Sequence, residues 1–224
     1  GILTIGQLAQ APDELVRGTL GTMGVVVRSF ARGLDESPVR PLDLASVDIG
    51  REVKSVGNGI TCPFDVGDAV TARQVIWLMG ESVAQRLRAL GLAATCVGVS
   101  GRDAESLLGR SRQRRLFRPT NITSELCSGA ADLLCADWDF RHEKIRAIGV
   151  RASCLVPAGG PVQLDLDGVE AARLRMASLD QAVDGLRLRY GNHAVRRLSE
   201  LASPALASLD PERDHFTHPV SYFA

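Results

Sequence analysis

Apolar positions fall into two different rhythms along the chain, and the change between them divides it. From Gly1 to about Gly33 the apolar residues Leu15, Leu20, Val25, Val27 and Phe30 recur at helical spacing with glycine breaks between them, which predicts two or three short helices. Leu34 to Arg51 has no sustained period and holds Pro38 and Pro41 among charges, the composition of a linker. Beyond it the pattern predicts a strand over Val53 to Thr61 and a helix from about Asp68 to Leu90. The helix carries the stripe Val75, Met79, Val83, Leu87 and Leu90 and is closed by Gly91. A strand over Ala93 to Arg102 alternates Val97 and Val99 inward with Gly98, Ser100 and Arg102 outward. A third strand runs from about Arg112 to Arg118 and is stopped by Pro119. A helix from about Ile122 to Trp138 with Leu126, Ala130, Leu133 and Leu134, and a strand over Ile145 to Val156, complete the order strand, helix, strand, strand, helix, strand. A further helix from about Glu170 to Tyr190 bears Leu174, Leu179, Val183 and Leu186, a stripe expected to pack against the domain or a neighbouring one.

That order predicts an α+β fold: a small helical hairpin domain, then a split βαβ domain with both helices on one face of a four-stranded sheet and the other face open. The domain ranges expected are 1–34, a linker at 35–51, the sheet domain at 52–158 and an extension at 159–224. In the last strand Ile148, Val150, Ala152 and Cys154 are expected on the helix side, with Ala147, Gly149, Arg151 and Ser153 on the open side. Ser100, Arg102, Arg112 and Arg114 extend that small and polar surface across the neighbouring strands. Small residues let another backbone approach, and arginines and hydroxyls donate to phosphates without reading bases.

Composition adds an ordinary cored protein, 45% hydrophobic, with no run of the roughly 20 apolar residues that a membrane helix needs, and no secretory signal layout. These features lead us to expect a soluble, cytoplasmic protein. The five cysteines are scattered, with no CxxC pair for zinc or redox chemistry, and read as reduced and mostly buried. Acids and bases balance at 26 each, and all but Lys54 and Lys144 of the bases are arginine. A GC-rich genome explains such a bias as readily as phosphate binding does, so distribution carries more information than the total. Between Arg102 and Arg118 six arginines (Arg102, Arg110, Arg112, Arg114, Arg115 and Arg118) face only Asp103 and Glu105, a local surplus that points to nucleic acid.

Several short motifs carry further expectations. Leu20-Gly21-Thr22-Met23-Gly24 ahead of an apolar helix has the layout of a helix-hairpin-helix turn, whose amides at a helix N-terminus favour a phosphate; an ordinary tight turn has the same layout. Asp13-Glu14 and Asp35-Glu36 read as solvated acidic pairs rather than metal ligands. The His215, His218 pair beside Asp214 lacks the third and fourth ligands of a metal site, and no metal site is expected. Trp77 and Trp138 fall on helix patterns and read as core.

The blocks Gly1-Ile2-Leu3-Thr4-Ile5-Gly6-Gln7-Leu8-Ala9, Gly21 to Gly24 and Ala31-Arg32-Gly33-Leu34-Asp35, in that order, resemble the thumb of Y-family translesion DNA polymerases. Lys54-Ser55-Val56-Gly57 resembles the start of that family's little finger, and Ile145-Arg146-Ala147-Ile148-Gly149-Val150-Arg151-Ala152-Ser153 its last strand. Arg112, Arg114 and Leu116 fall at its Arg-x-Arg strand, in the manner of the DNA polymerase IV and UmuC-like branch. The resemblance extends over nearly the whole chain, including an ending at Asp214 to Phe223 like that of some members. It implies a thumb and little finger that grip primer-template DNA by its backbone during lesion bypass in DNA repair. The candidate contacts are Gly21, Gly24, Lys54, Ser55, Gly57, Ser100, Arg102, Arg112, Arg114, Arg146, Gly149 and Arg151. Ala147 stands where some relatives carry another arginine. The family's chemistry needs a palm whose carboxylates hold magnesium. No palm is legible here, so the chain is expected to be an excised part, without catalytic residues or a cofactor of its own, that does not polymerise DNA alone, with magnesium belonging to the full-length polymerase. Gln163-Leu164-Asp165-Leu166-Asp167 resembles the peptide by which bacterial polymerases hold the sliding clamp, with Gln163, Leu164 and Leu166 as its contacts; Asp167 replaces the usual aromatic anchor, so a weakened clamp peptide and an ordinary loop are both open. Two alternatives remain at this point: an inactive paralogue acting as a clamp-linked adaptor, and a small-molecule regulatory domain of ferredoxin-like fold.

Overall fold

Thr4 begins the first element with a reciprocal cap: its Oγ1 accepts from the Gln7 amide at 3.2 Å, while Gln7 Oε1 accepts from the Thr4 amide at 3.2 Å. The computed structural model describes residues 1–36, 53–160, 167–201 and 203–211, and it divides into two units, Gly1–Arg51 and Glu52–Ala224. In the first unit α1 (Ile5–Gln10) leads into α2 (Asp13–Ala31), which is broken at Gly21, where φ of 66° and ψ of −153° interrupt the helical backbone. Only glycine takes that conformation without strain. The two halves of α2 close against each other through Val16 and Gly24, both buried, and an Arg28–Asp13 ion pair ties their far ends. A β-carbon on Gly24 would stand 2.6 Å from the Val16 carbonyl oxygen, so close approach is what this second glycine provides. The expected linker lies almost wholly outside the described residues.

In the second unit β1 (Ser55–Val66), α3 (Ala69–Ala89), β2 (Leu92–Asp103), β3 (Gly109–Thr120), α4 (Thr123–Asp137) and β4 (Ile145–Pro157) follow in the expected order. They form an α+β domain with one antiparallel sheet of strand order β1-β4-β2-β3. Asp68 caps α3 by accepting from the Thr71 amide at 2.8 Å, and this carboxylate is held below its usual range by the Thr71 amide and hydroxyl. Helices α3 and α4 cover one face of the sheet, where Ile76, Met79, Leu87, Leu126, Ile145 and Ile148 are fully buried.

Three details depart from the sequence reading. Pro119 does not stop β3: the strand bulges between its Cys96–Arg115 and Ala94–Thr120 pairings and resumes at Thr120, which an edge strand tolerates because no neighbour needs the missing amide. Cys154 leaves the helix side, because its φ of 53° turns it out to solvent while Thr95 Oγ1 donates to its carbonyl at 2.8 Å. The helix α5 (Val169–Tyr190) docks mainly by its charged residues, and of the expected apolar stripe Val183 alone is half-buried. Leu174, Leu179 and Leu186 are exposed, while Glu170 and Asp180 are buried.

The contacts explain that inversion. Arg88 of α3 pairs with Asp184 at 2.6 Å and Asp180 at 3.2 Å, and Asp180 also accepts from the Thr123 amide at 2.8 Å, capping α4 from a different helix. Arg187 pairs with Glu81 at 2.6 Å, and Glu170 joins Arg118 of β3 to Arg173, which in turn holds Glu125 of α4. Beyond a short 3-10 turn (Asn192–Ala194), α6 (Leu198–Leu201) and α7 (Pro204–Ala207) bring Leu206 into the core and the Pro211 carbonyl to Asn58 Nδ2 at 2.9 Å. Glu200 is buried here with Oε1 unpartnered, and burial, followed by the nearby Glu81 carboxylate, pushes its carboxyl above the ordinary range. An acid whose folded pKa is raised binds its proton more tightly folded than unfolded, so its ionisation costs stability as pH rises above the ordinary value. Glu200→Gln is therefore expected to flatten the decline in unfolding free energy above about pH 4.5, measured by urea unfolding across pH; a parallel pH profile in the variant would reject the assignment.

Candidate nucleic-acid interface

Residues paired in register across an antiparallel sheet share a face, so the ladder defines the open surface row by row. In the order β1, β4, β2, β3 the first row is Ser55, Ser153, Cys96 and Arg115. The second is Gly57, Arg151, Gly98 and Gln113. The third is Gly59, Gly149, Ser100 and Ser111, and the fourth is Thr61, Ala147, Arg102 and Gly109. Ser55, Gly57, Ser100, Arg102, Gly149 and Arg151, all singled out from the sequence, are thus brought together. The floor is flat because side chains are missing from it: a β-carbon on Gly149 would lie 2.7 Å from Ser100 Oγ, and one on Gly59 would lie 3.1 Å from the Gly149 Cα. The four rows hold no acid and three arginines, and among the described residues Arg102, Arg115 and Arg151 have no ion-pair partner. Unneutralised guanidinium groups over a floor of amides, hydroxyls and small residues form an anion-binding surface.

Arg112 and Arg114 require a correction. The ladder pairs them with Val99 and Val97, which are buried under the helices, so both point to the helix side of the sheet and not to the open side. Arg112 pairs with Asp137 at 2.7 Å and Arg114 with Asp132 at 3.6 Å, and an added β-carbon on Gly129 of α4 would touch Arg114 at 3.3 Å. Arg110 joins them through Glu143 at 2.6 Å and the ring of buried Trp138 at 3.9 Å. The paired arginines therefore hold α4 and its following loop to β3, and the unpaired ones stand on the opposite face. Arg146 sits where the β4 register shifts and pairs with Asp65 at 3.3 Å, both half exposed. Lys54 is exposed just ahead of β1.

In the first unit Gly21 is exposed at the turn and Gly24 is buried within the hairpin. Among the described residues no group of three or more His, Cys, Asp or Glu side chains is placed to hold a metal ion, and Asp13 is already engaged by Arg28. The described residues therefore do not fit the magnesium site of a polymerase palm. Gln163, Leu164 and Leu166 lie outside the described residues, as do His215 and His218. Among the described residues no helix is long and apolar enough to cross a membrane.

Sequence comparison decides the lineage. The profile of the impB/mucB/samB family C-terminal domain matches residues 53–166, half of the chain and the whole of the sheet with its helices. The chain belongs to the impB/mucB/samB family. DNA polymerase IV of Acetivibrio thermocellus is 36% identical over 196 residues, and that of Moorella thermoacetica is 37% identical over 203; these span 88% and 90% of this chain and 47% of each relative. DNA polymerase IV 2 of Bacillus subtilis is 33% identical over 210 residues, 92% of this chain and 48% of that protein. The chain thus spans about half the length of the curated relatives it matches. Among solved structures, a chimeric Y-family DNA polymerase aligns over 70% of this chain and 42% of its own at 15% identity and a TM-score of 0.45. A polymerase IV little finger domain solved with the β-clamp processivity factor aligns over 50% of this chain and 97% of its own at 18% identity and a TM-score of 0.39. The matched profile accordingly identifies the β1-to-β4 domain as the C-terminal domain of the impB/mucB/samB family.

Proposed function

We propose that the chain grips the sugar-phosphate backbone of primer-template DNA for an error-prone polymerase working past damaged bases in DNA repair. The observation that carries this reading is the set of four acid-free rows on the open face, whose three arginines have no ion-pair partner among the described residues. Such a face supports sequence-independent binding, since guanidinium groups and amides take phosphate oxygens and carry no base code. The Gly21 break supports a second contact, because it opens a new helix N-terminus whose amides favour an anion. In the whole polymerase, magnesium held by palm carboxylates supplies the phosphoryl-transfer chemistry. The part of the described residues is to hold the duplex. The sliding clamp is the second partner proposed, through Gln163, Leu164 and Leu166, and this rests on the motif alone.

Fluorescence-anisotropy titration with a primer-template duplex over a range of salt tests the reading. Binding is expected to be independent of sequence and to weaken steeply with salt, and Arg102→Ala combined with Arg151→Ala should reduce the log–log salt slope by about two contacts' worth, roughly 1.8. Absence of binding even at low salt would instead favour the clamp-linked adaptor or the regulatory-domain alternative. Adding purified sliding clamp to the same titration tests the second partner: a further rise in anisotropy that Gln163→Ala with Leu164→Ala removes supports it, and no rise rejects it.

A further inference from the structure

Arginines on β3 follow two spacings. Arg110, Arg112 and Arg114 are two apart and so share a face, whereas Arg115 is adjacent to Arg114 and must project through the opposite face. The Cys96–Arg115 pairing fixes this side, since Cys96 is also in register with Ser153 and, through it, Ser55 on the open face. The β3 bulge begins only after Arg115, so the assignment rests on an intact part of the ladder. Arg115 is exposed and has no ion-pair partner among the described residues, unlike the three arginines before it.

We propose that Arg115 is the β3 phosphate contact of the open face, and that Arg112 and Arg114 are fastenings between β3 and α4. This rests on the DNA-gripping reading above and names its third cation. Arg115 lies two strands across and one residue pair along from Arg151, which strand spacing converts to roughly 12 Å between α-carbons. Arg102 lies one strand across and three pairs along from Arg115, roughly 21 Å away by the same spacing. The shorter separation matches the width of a B-form major groove, about 12 Å, so Arg115 and Arg151 are placed to take phosphates on opposite strands. Arg102 is then set further along the duplex.

The test compares Arg115→Ala, Arg115→Lys, Arg112→Ala and Arg114→Ala in the full chain, titrated with a primer-template duplex across salt. Arg115→Ala should lower the salt slope by about 0.9 and weaken binding several-fold on every sequence, Arg115→Lys should keep the slope, and Arg112→Ala and Arg114→Ala should leave it at the wild-type value. Thermal unfolding controls for folding, and Arg115→Ala should melt with the wild type because its exposed side chain has no ion-pair partner among the described residues. A wild-type slope in Arg115→Ala, or a lower slope in Arg112→Ala or Arg114→Ala, overturns the inference while leaving the DNA-gripping reading intact. Failure of the wild type itself to bind removes both.

Discussion

Arg88→Ala is expected to lower the unfolding free energy of the second unit by about 3–5 kcal/mol, the cost of leaving buried charge without its partner. The Arg88 side chain is 10% exposed and Asp180 is 9% exposed, so water cannot replace the lost pairing. The same guanidinium also donates to the Asn121 carbonyl at 2.6 Å and to Thr123 Oγ1 at 3.1 Å, so its removal loosens the start of α4 as well as the seat of α5. Asp180→Ala should cost less, about 1–3 kcal/mol. Arg88 then keeps Asp184, and the main further loss is the cap on the Thr123 amide. Urea unfolding of both variants gives the order. A cost for Arg88→Ala within about 1 kcal/mol, the range of an exposed pair, would mean that α5 does not sit on α3 in solution.

The second large effect concerns the first unit. Gly24→Val should abolish protection of the α2 amides against hydrogen exchange while leaving the sheet domain unchanged. Its β-carbon would meet the Val16 carbonyl oxygen at 2.6 Å and Leu20 Cβ and Val16 Cγ1 each at 2.8 Å, all parts of the same hairpin. Overpacking of this kind costs about 1–3 kcal/mol, and the unit has little to set against it, since Ala11 and Val16 are its buried apolar side chains among the described residues. Helices as short as the halves of α2 are marginal without tertiary contact, so separating them should melt both. Gly21→Ala is the contrast: nothing stands within 4 Å of its added carbon, and the penalty is backbone strain at φ of 66°, about 1–2 kcal/mol. Wild-type protection in Gly24→Val would show that the halves of α2 are not in contact there.

Much of the fold is legible in the sequence where two signals coincide. Asp68 and Gly91 bracket a helical stripe, and α3 occupies Ala69–Ala89 between them. Alternation in β2 and β4 is readable because helices bury one face, so Val97, Val99, Ile148 and Val150 contrast with Ser100, Gly149 and Arg151. In β3 that contrast is absent. It is an edge strand with polar residues on both sides, and Arg112 and Arg114 look as outward as Arg115 until the register is known. The step from spacing two to spacing one at Arg114-Arg115 was the available signal. The seat of α5 was not legible, because apolar periodicity assumes that apolar residues do the packing. Here the contacts are ion pairs such as Arg88 with Asp184, 96 residues apart in the chain, and no local pattern announces them.

The two-sided charge of β3 has a consequence for the sheet itself. An outer strand twelve residues long offers free amides and carbonyls to any other extended chain, and exposed edges of this length are where proteins stick to one another. Arg110, Arg112 and Arg114 set charge along one side of that edge, Arg115 along the other, and the bulge with Pro119 removes a donor and twists the end away. An incoming strand would have to bring its side chains against guanidinium groups on both faces and would miss a hydrogen bond at the bulge. An edge that carries cations on both faces is thereby also guarded against self-association, and among the described residues the sheet has four strands.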